Sequence, residues 1–144
     1  MTTTIHSEQL AQWLITQSPD AVIYSDKQGL IELWNASAEQ MFGFSAEQAL
    51  GQSLDIIIPE KLRAAHWRGF AAAIAAGLTK YSGKPMATKA VHADGHEFYV
   101  EMSFALIVNT EHEVVGTVAF ARDITERYEK ERASRARLRE LEAR

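Results

Sequence analysis

The sequence predicts an α+β fold in which an antiparallel sheet carries its helices on one face. Strand-like segments stand at both ends of the globular part, and helical periodicity fills the stretch between them. Residues 98–108 give the clearest strand, because apolar and polar side chains alternate along most of it. Asp94-Gly95 just before it is a strong signal for a hairpin turn. The order of two strands, several helices and three strands indicates helices gathered on one side of the sheet.

The remaining strands and short helices are predicted from alternation, turn residues and capping patterns. Strands are expected at residues 21–24, 30–34, 86–91, 98–108 and 114–121. Asn35 is the expected cap of a short helix after the second strand, and Ser45 with Gln48 forms a capping box for the next helix. Before the first strand, residues 7–17 predict an amphipathic helix capped by Ser7. Its apolar face consists of Leu10, Trp13 and Leu14.

A longer helix over residues 59–76 carries the most informative pattern of the chain. Pro59 suits its first position, and Gly77 suits its C-terminal end. One face repeats at every fourth residue and consists of Leu62, His66, Phe70 and Ile74. A histidine therefore lies in the middle of an otherwise apolar face that is predicted to point inward. Trp67 is expected to point to a different face of the helix.

We divide the chain into three parts. Residues 1–17 form an N-terminal cap helix, residues 18–125 the globular domain, and residues 126–144 a C-terminal linker helix. The linker helix contains two pairs of opposite charges four residues apart, Glu126 with Lys130 and Glu131 with Arg135. Its heptad positions hold few apolar residues, so it is expected to need a partner or a continuation to be stable.

Composition excludes several classes of function. The chain has 144 residues, 47% of them hydrophobic, and no cysteine, which excludes disulfides, zinc–thiolate sites and thiol catalysis. No apolar run approaches the roughly 20 residues that span a bilayer, and the N-terminus lacks a secretory signal pattern. Seven of the 15 Lys and Arg residues lie in residues 125–144, which leaves an acidic globular part. We therefore expect a cytoplasmic protein that binds neither membranes nor nucleic acid.

Several motifs together resemble the PAS family of sensor domains, over roughly residues 17–125. They are Trp34-Asn35, Phe42-Gly43-Phe44, Gly51, the Asp94-Gly95 hairpin, and Gly116 through Arg122-Asp123-Ile124-Thr125. The resemblance implies a five-stranded antiparallel sheet whose concave face and helices enclose a ligand cavity. It also implies a homodimer that signals to an output domain or partner protein through the exit helix. Because PAS domains bind diverse ligands, the ligand has to be inferred from the site.

The stretch of residues 59–66 is similar to the proximal-histidine helix of haem-binding PAS oxygen sensors, of both the kinase and the phosphodiesterase type. Those sensors have one glycine eleven residues after the histidine and a second six residues later. The corresponding residues here are His66, Gly77 and Gly83. The similarity implies that His66 is the proximal ligand of a haem b iron. The signal would then be O2, another diatomic gas or redox state.

The haem pocket is expected to be apolar and to include residues from the helix and from the strands. These residues are Leu62, Phe70, Ile74, Met86, Val100, Met102, Phe104 and Leu106. On the distal side, one sensor type has an arginine at the position of Met86, and the other has a methionine at the position of Lys84. Neither counterpart is reproduced. Met86 is therefore a possible distal ligand, and filling a gap in the core is its alternative role.

Other interpretations of the site stay open. A histidine on an apolar helix face is also explained as a core residue that is hydrogen-bonded to a carbonyl or carboxylate. The domain would then bind a flavin or a small organic acid, with Trp34 and Asn35 lining the pocket. A third interpretation is a ligand-free dimerisation and relay module with a filled core. Covalent flavin or coumaroyl photochemistry is excluded, because the family's photosensors of these types need a cysteine.

We find no paired carboxylates, nucleophile elbow or phosphate-binding loop, and we therefore expect no enzyme. Asp123 and Thr125 are explained by capping of the exit helix. His92 and His96 flank the Asp94-Gly95 turn and are expected to be solvated. A metal site at that turn is not expected, for lack of acidic or cysteine partners at ligand spacing.

Overall fold

A computed structural model describes residues 5–77 and 84–143, which form a five-stranded antiparallel sheet with helices. The strands are β1 (Ala21–Asp26), β2 (Ile31–Trp34), β3 (Met86–Val91), β4 (Glu97–Val108) and β5 (Val114–Asp123). They lie side by side in the order β2-β1-β5-β4-β3. The last strand of the chain therefore lies at the centre, between β1 and β4. The predicted α+β class is confirmed.

The helices are α1 (Ser7–Thr16), α2 (Ala36–Phe42), α3 (Ala46–Ala49), α4 (Glu60–Ala76) and α5 (Thr125–Glu142), with a 3-10 helix at Leu54–Ile57. Asn35 caps α2 by accepting from the Ala38 N–H, and Ser45 with Gln48 forms the predicted capping box. Ser7 as a cap was wrong, because it is already helical and His6 occupies the N-cap without a side-chain hydrogen bond. Within the described residues, no helix combines the length and apolar composition needed to cross a bilayer.

The core lies between one face of the sheet and the short helices. The Phe42 ring at the end of α2 packs against Trp34 and Phe98, with centroids 5.6 Å apart in both pairs. Phe42 itself is fully buried. The other large residues of this core are Ile23, Ile31, Leu54, Ile57, Val100 and Met102. The helical part of this core comes mostly from α2, α3 and the 3-10 helix, and α4 adds the partly buried Trp67 and Phe70.

Strand register shows which residues are neighbours on the helix-facing side of the sheet. Phe104 in β4 lies opposite Ala119 in β5, and Ala119 lies opposite Ile23 in β1. In the next row Met102 lies opposite Ala121. On this face, Ala119 of β5 therefore lies between larger residues of β1 and β4, and Phe104 is only half-buried.

Candidate ligand site and signalling junction

His66 lies near the middle of α4 between two aromatic side chains. Its ring centroid is 4.6 Å from that of Trp67 and 5.9 Å from that of Phe70. The four residues of the predicted stripe, Leu62, His66, Phe70 and Ile74, are all half-buried, whereas most other positions of the helix are exposed. We call these four residues the α4 stripe. Trp67 is half-buried beside this stripe, and Trp67 and Phe70 are the residues of α4 that pack against the core. The expectation that Trp67 points to a different face was therefore wrong.

One ring nitrogen of His66 is buried inside the protein. Its Nδ1 has no hydrogen-bond partner among the described residues. Burial lowers the pKa of His66 below its ordinary value of 6.5, and the negative charge of Asp55 opposes that shift only in part. The imidazole is therefore neutral at pH 7. A buried polar group without a partner costs about 1–3 kcal/mol, so this nitrogen calls for a ligand or another explanation.

Trp67 joins α4 to the 3-10 helix and to the β1–β2 turn, which helical periodicity alone did not predict. Its indole Nε1 donates a hydrogen bond of 2.7 Å to Asp55 Oδ1 in the 3-10 helix. Its ring also lies over Gly29, where a Cβ would come within 2.2 Å of the indole. Arg63 adds hydrogen bonds to the backbone oxygens of Ile58 and Asp55, at 3.0 and 3.2 Å. The N-terminal half of α4 is thereby fixed next to the β1–β2 turn.

The strand residues predicted for the pocket fall into two groups. Val100 and Met102 are 0% and 7% exposed and belong to the core. Phe104, Leu106 and Met86 are half-buried. Since Met86 pairs directly with Met102, the two side chains share the helix-facing side of the sheet. The second group, together with the α4 stripe, offers apolar surface that the protein does not fully cover.

Of the two predicted glycines, one lies at the C-terminal end of α4. Gly77 ends α4 with a φ of 72°, as expected for a C-terminal glycine. Gly83 lies outside the described residues. An open groove of about 470 Å³ is lined by Pro59, Glu60, Lys61 and Glu97. None of the predicted pocket residues lines this groove, so it is not the predicted site.

Trp34 and Asn35 do not offer polar groups to a ligand. The Trp34 indole N–H donates to the Phe44 backbone oxygen at 2.9 Å. The Asn35 carbonyl accepts from the N–H groups of Val22 and Ala38, and its amide donates to the backbone oxygens of Ile15 and Asp20. Both side chains are at least 95% buried. These polar groups are therefore already paired within the protein, which counts against the alternative in which they bind a flavin or an organic acid.

The segment that joins β5 to α5 makes several contacts with the sheet. Thr125 Oγ1 accepts from the Tyr99 N–H at 3.1 Å, and the Ile124 N–H donates to the Tyr99 oxygen at 3.0 Å. Asp123 Oδ1 accepts from the Thr125 N–H at 2.9 Å, whereas Arg122 pairs with Asp20 at 2.9 Å. We call Tyr99 and residues 122–125 the α5 junction. The expected side-chain capping of α5 was wrong, because Ile124 occupies the N-cap without a side-chain hydrogen bond. Asp123 instead bonds to the first helical residue, and Thr125 bonds to β4.

The first turn of α5 is packed on β4, and the rest of the helix is exposed. The Tyr128 ring stacks on Tyr99 with centroids 3.8 Å apart, and Arg127 pairs with Glu101 at 2.9 Å. Of the predicted charge pairs, Glu126 with Lys130 is present at 3.1 Å. The pair of Glu131 with Arg135 is absent from the ion pairs of the described residues. Residues 129–143 are exposed, so this helix is supported only at its start.

The β3–β4 turn contradicts the expectation that it lacks a metal-ligand set. His92, Asp94 and His96 bring one ligand atom each to within 4.8 Å of the others. Asp94 supplies the acidic partner, in addition to the backbone role that its place in the turn predicts. The backbone N–H of His96, which donates to the carboxylate, is the main cause that lowers the pKa of Asp94.

Comparison with known proteins identifies the family. A family model described as the PAS fold matches residues 11–124. The chain belongs to the PAS family. The solved PAS domain of a protein from Colwellia psychrerythraea superposes with a TM-score of 0.72 at 26% identity, over 83% of this chain and 97% of that one.

Two relatives in sequence are longer proteins. One is an uncharacterized protein of Azorhizobium caulinodans, 34% identical over 131 residues, which are 88% of this chain and 17% of that protein. The other is the sensor protein FixL of Bradyrhizobium diazoefficiens, 44% identical over 48 residues, which are 33% of this chain and 10% of that protein. The matched stretches therefore cover less than a fifth of either relative. Its membership assigns it to a family of sensory and signalling modules.

Proposed function

We propose that this PAS domain holds haem b through His66 and senses O2, another diatomic gas or a change of redox state. The observation that carries the proposal is the buried Nδ1 of His66, which has no partner within residues 5–77 and 84–143. Burial also lowers the pKa of this imidazole and keeps it neutral. A neutral imidazole on a helix is the proximal ligand that a haem iron takes in many haem proteins.

The surroundings of His66 suit a porphyrin. Haem would supply an iron site for a diatomic gas and a one-electron redox couple. Apolar surface for it is available on five half-buried residues, Leu62, Phe70, Ile74, Phe104 and Leu106. Covering that surface is favourable by about 25 cal/mol for each Å² removed from water. Because the chain has no cysteine, covalent thioether attachment is excluded and the haem would be of b type.

Met86 is our proposed residue on the distal side of the haem. It is half-buried at the start of β3 and shares the face of its partner Met102. A thioether is a known axial ligand of haem iron. Lys84, at the neighbouring aligned position, is exposed and is therefore the weaker candidate.

We further propose that the signal leaves the domain through the α5 junction to an output domain or partner protein. The pocket side of β4 lies in register with the end of β5, since Met102 is opposite Ala121 and Val100 is opposite Asp123. A displacement of β4 by a ligand would thus move the strand that leads directly into α5. Because only the first turn of α5 is packed, a small movement there would change the direction of the whole helix.

The hydroxyl of Thr125 gives a test of this junction. Thr125→Val keeps the shape of the side chain but removes the acceptor for the Tyr99 N–H. We expect a loss of about 1 kcal/mol in the free energy of unfolding and faster amide exchange in the first turn of α5. Thr110→Val, at an exposed loop position, is the matched control. Equal exchange of α5 in both variants would contradict a role for this bond.

A homodimer is proposed from the apolar surface of the two terminal helices. Leu10, Trp13 and Leu14 of α1 are 41%, 40% and 64% exposed. Leu138 and Leu141 of α5 are 56% and 58% exposed. Both faces would be covered by a second copy, and the weak heptad pattern of α5 also calls for a partner. Sedimentation that finds only monomer at every concentration would remove this part of the proposal.

An absorption spectrum tests the proposed cofactor. The protein is expressed with haem supplied, and spectra are recorded as purified, after dithionite and after carbon monoxide. We expect a Soret band that moves with each addition. His66→Ala should lose the band, because the iron ligand is gone, and His112→Ala, on the exposed β4–β5 turn, should keep it.

The outcomes separate this proposal from the alternatives. A full haem complement in His66→Ala would reject His66 as the ligand. A folded wild type with a flat visible spectrum would favour either a colourless organic ligand or a ligand-free relay module, and mass spectrometry of a denatured extract would distinguish them. A flavin spectrum at near-equal stoichiometry would replace haem by flavin.

A further inference from the structure

The turn between β3 and β4 gathers three potential metal ligands on the surface of the domain. We propose that His92, Asp94 and His96 form a binding site for a divalent transition-metal ion of the zinc type. The side chains follow each other at every second residue, and their ligand atoms lie within 4.8 Å of one another. This inference does not depend on the proposed haem site, because the turn shares no residue with the α4 stripe.

The donor types define the class of metal. Two imidazoles and one carboxylate are the ligands that zinc takes in three-ligand sites, with a fourth position left for water or another donor. Copper(I) is less suited to this set, because it prefers soft thiolate ligands. Calcium is less suited as well, because it takes six to eight oxygen ligands. Ni²⁺ and Cu²⁺ accept the same donors, so selectivity among these ions is a matter of geometry and availability.

The distances are close to those of a coordinated set. Asp94 Oδ1 lies 3.2 Å from His92 Nδ1 and 2.5 Å from His96 Nδ1. Ligands at about 2.0–2.2 Å from a tetrahedral zinc ion are about 3.4 Å apart. The His92 pair already meets that spacing, and the His96 pair has to open by about 1 Å, as one side-chain rotation allows. His92 Nδ1 now accepts from the Asp94 N–H at 3.1 Å, and coordination through this atom would replace that hydrogen bond. The two rings stack at 4.7 Å with 21° between their planes, so both lie on the same side of the turn.

The backbone of the turn holds the ligands near this arrangement. The His92 N–H donates to the His96 oxygen at 2.9 Å, and the Gly95 N–H donates to the His92 oxygen at 2.8 Å. Gly95 has a φ of 95°, which a glycine adopts at low cost. The His96 N–H donates to Asp94 Oδ1 at 2.9 Å and directs that carboxylate towards the rings. Much of the ordering of the ligands has therefore taken place before an ion arrives.

The site is also tied to the core of the domain. The Ala93 N–H donates to the Phe42 oxygen at the end of α2, at 2.8 Å. The His92 ring lies so close to Gly43 that a Cβ there would come within 2.4 Å of it. His92 is 25% exposed, whereas Asp94 and His96 are 61% and 56% exposed. One ligand is thus held against the protein, and two remain accessible to an ion from solvent.

Calorimetric titration of the full chain with zinc chloride, without a polyhistidine tag, tests the proposal. We expect one zinc ion per chain, and a rise in Tm on the order of 10 °C when free zinc is about 100-fold above Kd. Asp94→Asn and His96→Gln should each weaken binding by at least about tenfold, since even loss of an outer-shell partner typically costs 10–100-fold. Co²⁺ in place of zinc should give the intense visible bands of a low-coordinate site.

Matched variants separate this site from other histidines. His112→Gln, on the β4–β5 turn, and His66→Ala, on α4, should bind zinc as the wild type does. Because Asp94 and His96 are exposed, their variants are expected to fold, and their Tm without metal checks this. Binding that is absent in the wild type, or that His96→Gln leaves unchanged, would overturn the proposal. Zinc binding in a protein that takes up no haem would leave it intact and reject only the haem site.

Discussion

His66→Leu is expected to stabilise the ligand-free domain and to abolish its binding of haem. Leucine fills a similar volume on the α4 stripe and removes the buried Nδ1 that lacks a partner among the described residues. Removal of such a group is worth about 1–3 kcal/mol in the free energy of unfolding. The same change deletes the proposed iron ligand, so added haem should no longer raise the Tm of the variant. Stability and ligand binding would thus respond in opposite directions.

The substitution is also expected to change how stability depends on pH. Burial lowers the folded-state pKa of His66 below 6.5, its ordinary value. Below pH 6.5 the unfolded chain therefore binds more protons at this residue than the folded chain does, and stability falls as the pH falls. The loss continues until the folded pKa is reached. His66→Leu lacks this group, so its stability should decline less between pH 6.5 and that lower pKa.

Denaturant unfolding of wild type and His66→Leu, at several pH values and without haem, measures both effects. His6→Leu is the matched control, because His6 is exposed and makes no capping hydrogen bond, so its replacement should change neither stability nor haem binding. A large loss of stability in ligand-free His66→Leu would mean that His66 has a partner inside the protein. That result would favour the interpretation as a core histidine.

Local signals in the sequence were enough to predict most of the fold. Alternation over β4 and the Asp94-Gly95 turn gave the hairpin, and caps such as Asn35 and Ser45 gave the starts of short helices. These features act over three to five residues, so they can be read without knowledge of the tertiary structure. The prediction for Ser7 failed because sequence patterns place the start of a helix only to within one or two residues. The neighbouring His6 occupies the N-cap instead.

The candidate site was predicted in part, for a related reason. The α4 stripe repeats at every fourth residue, which places His66 on an inward face of the helix. Helical periodicity alone is enough to predict this. The contact of Trp67 with Asp55 depends on how α4 packs on an irregular segment, which no short pattern encodes. The ligand set at the β3–β4 turn was missed because a turn residue, Asp94, was considered only for its backbone role. In a tight turn, side chains two residues apart converge, whereas in a strand they would point in parallel.

Asn35→Ala is expected to cost about 3 kcal/mol in the free energy of unfolding, the largest loss we predict for an individual polar side chain. Its carbonyl and amide make four hydrogen bonds, which is the full capacity of the group. They join the end of α1, the start of β1 and the first turn of α2. Alanine removes the cap of α2, at about 1 kcal/mol, and leaves the buried Val22 N–H without a partner, at about 1–3 kcal/mol.

Ser45→Ala is the control that isolates the effect of burial. Ser45 caps α3 through an exposed hydrogen bond of 3.1 Å, so its loss should cost only about 1 kcal/mol. Asn35→Asp keeps the acceptor oxygen but turns a carboxylate towards the backbone oxygens of Ile15 and Asp20. It should therefore be as destabilising as alanine, although aspartate is a good cap. Equal, small losses for Asn35→Ala and Ser45→Ala would mean that the Asn35 amide is free to serve a ligand. Such a result would revive the flavin or acid pocket lined by Trp34 and Asn35.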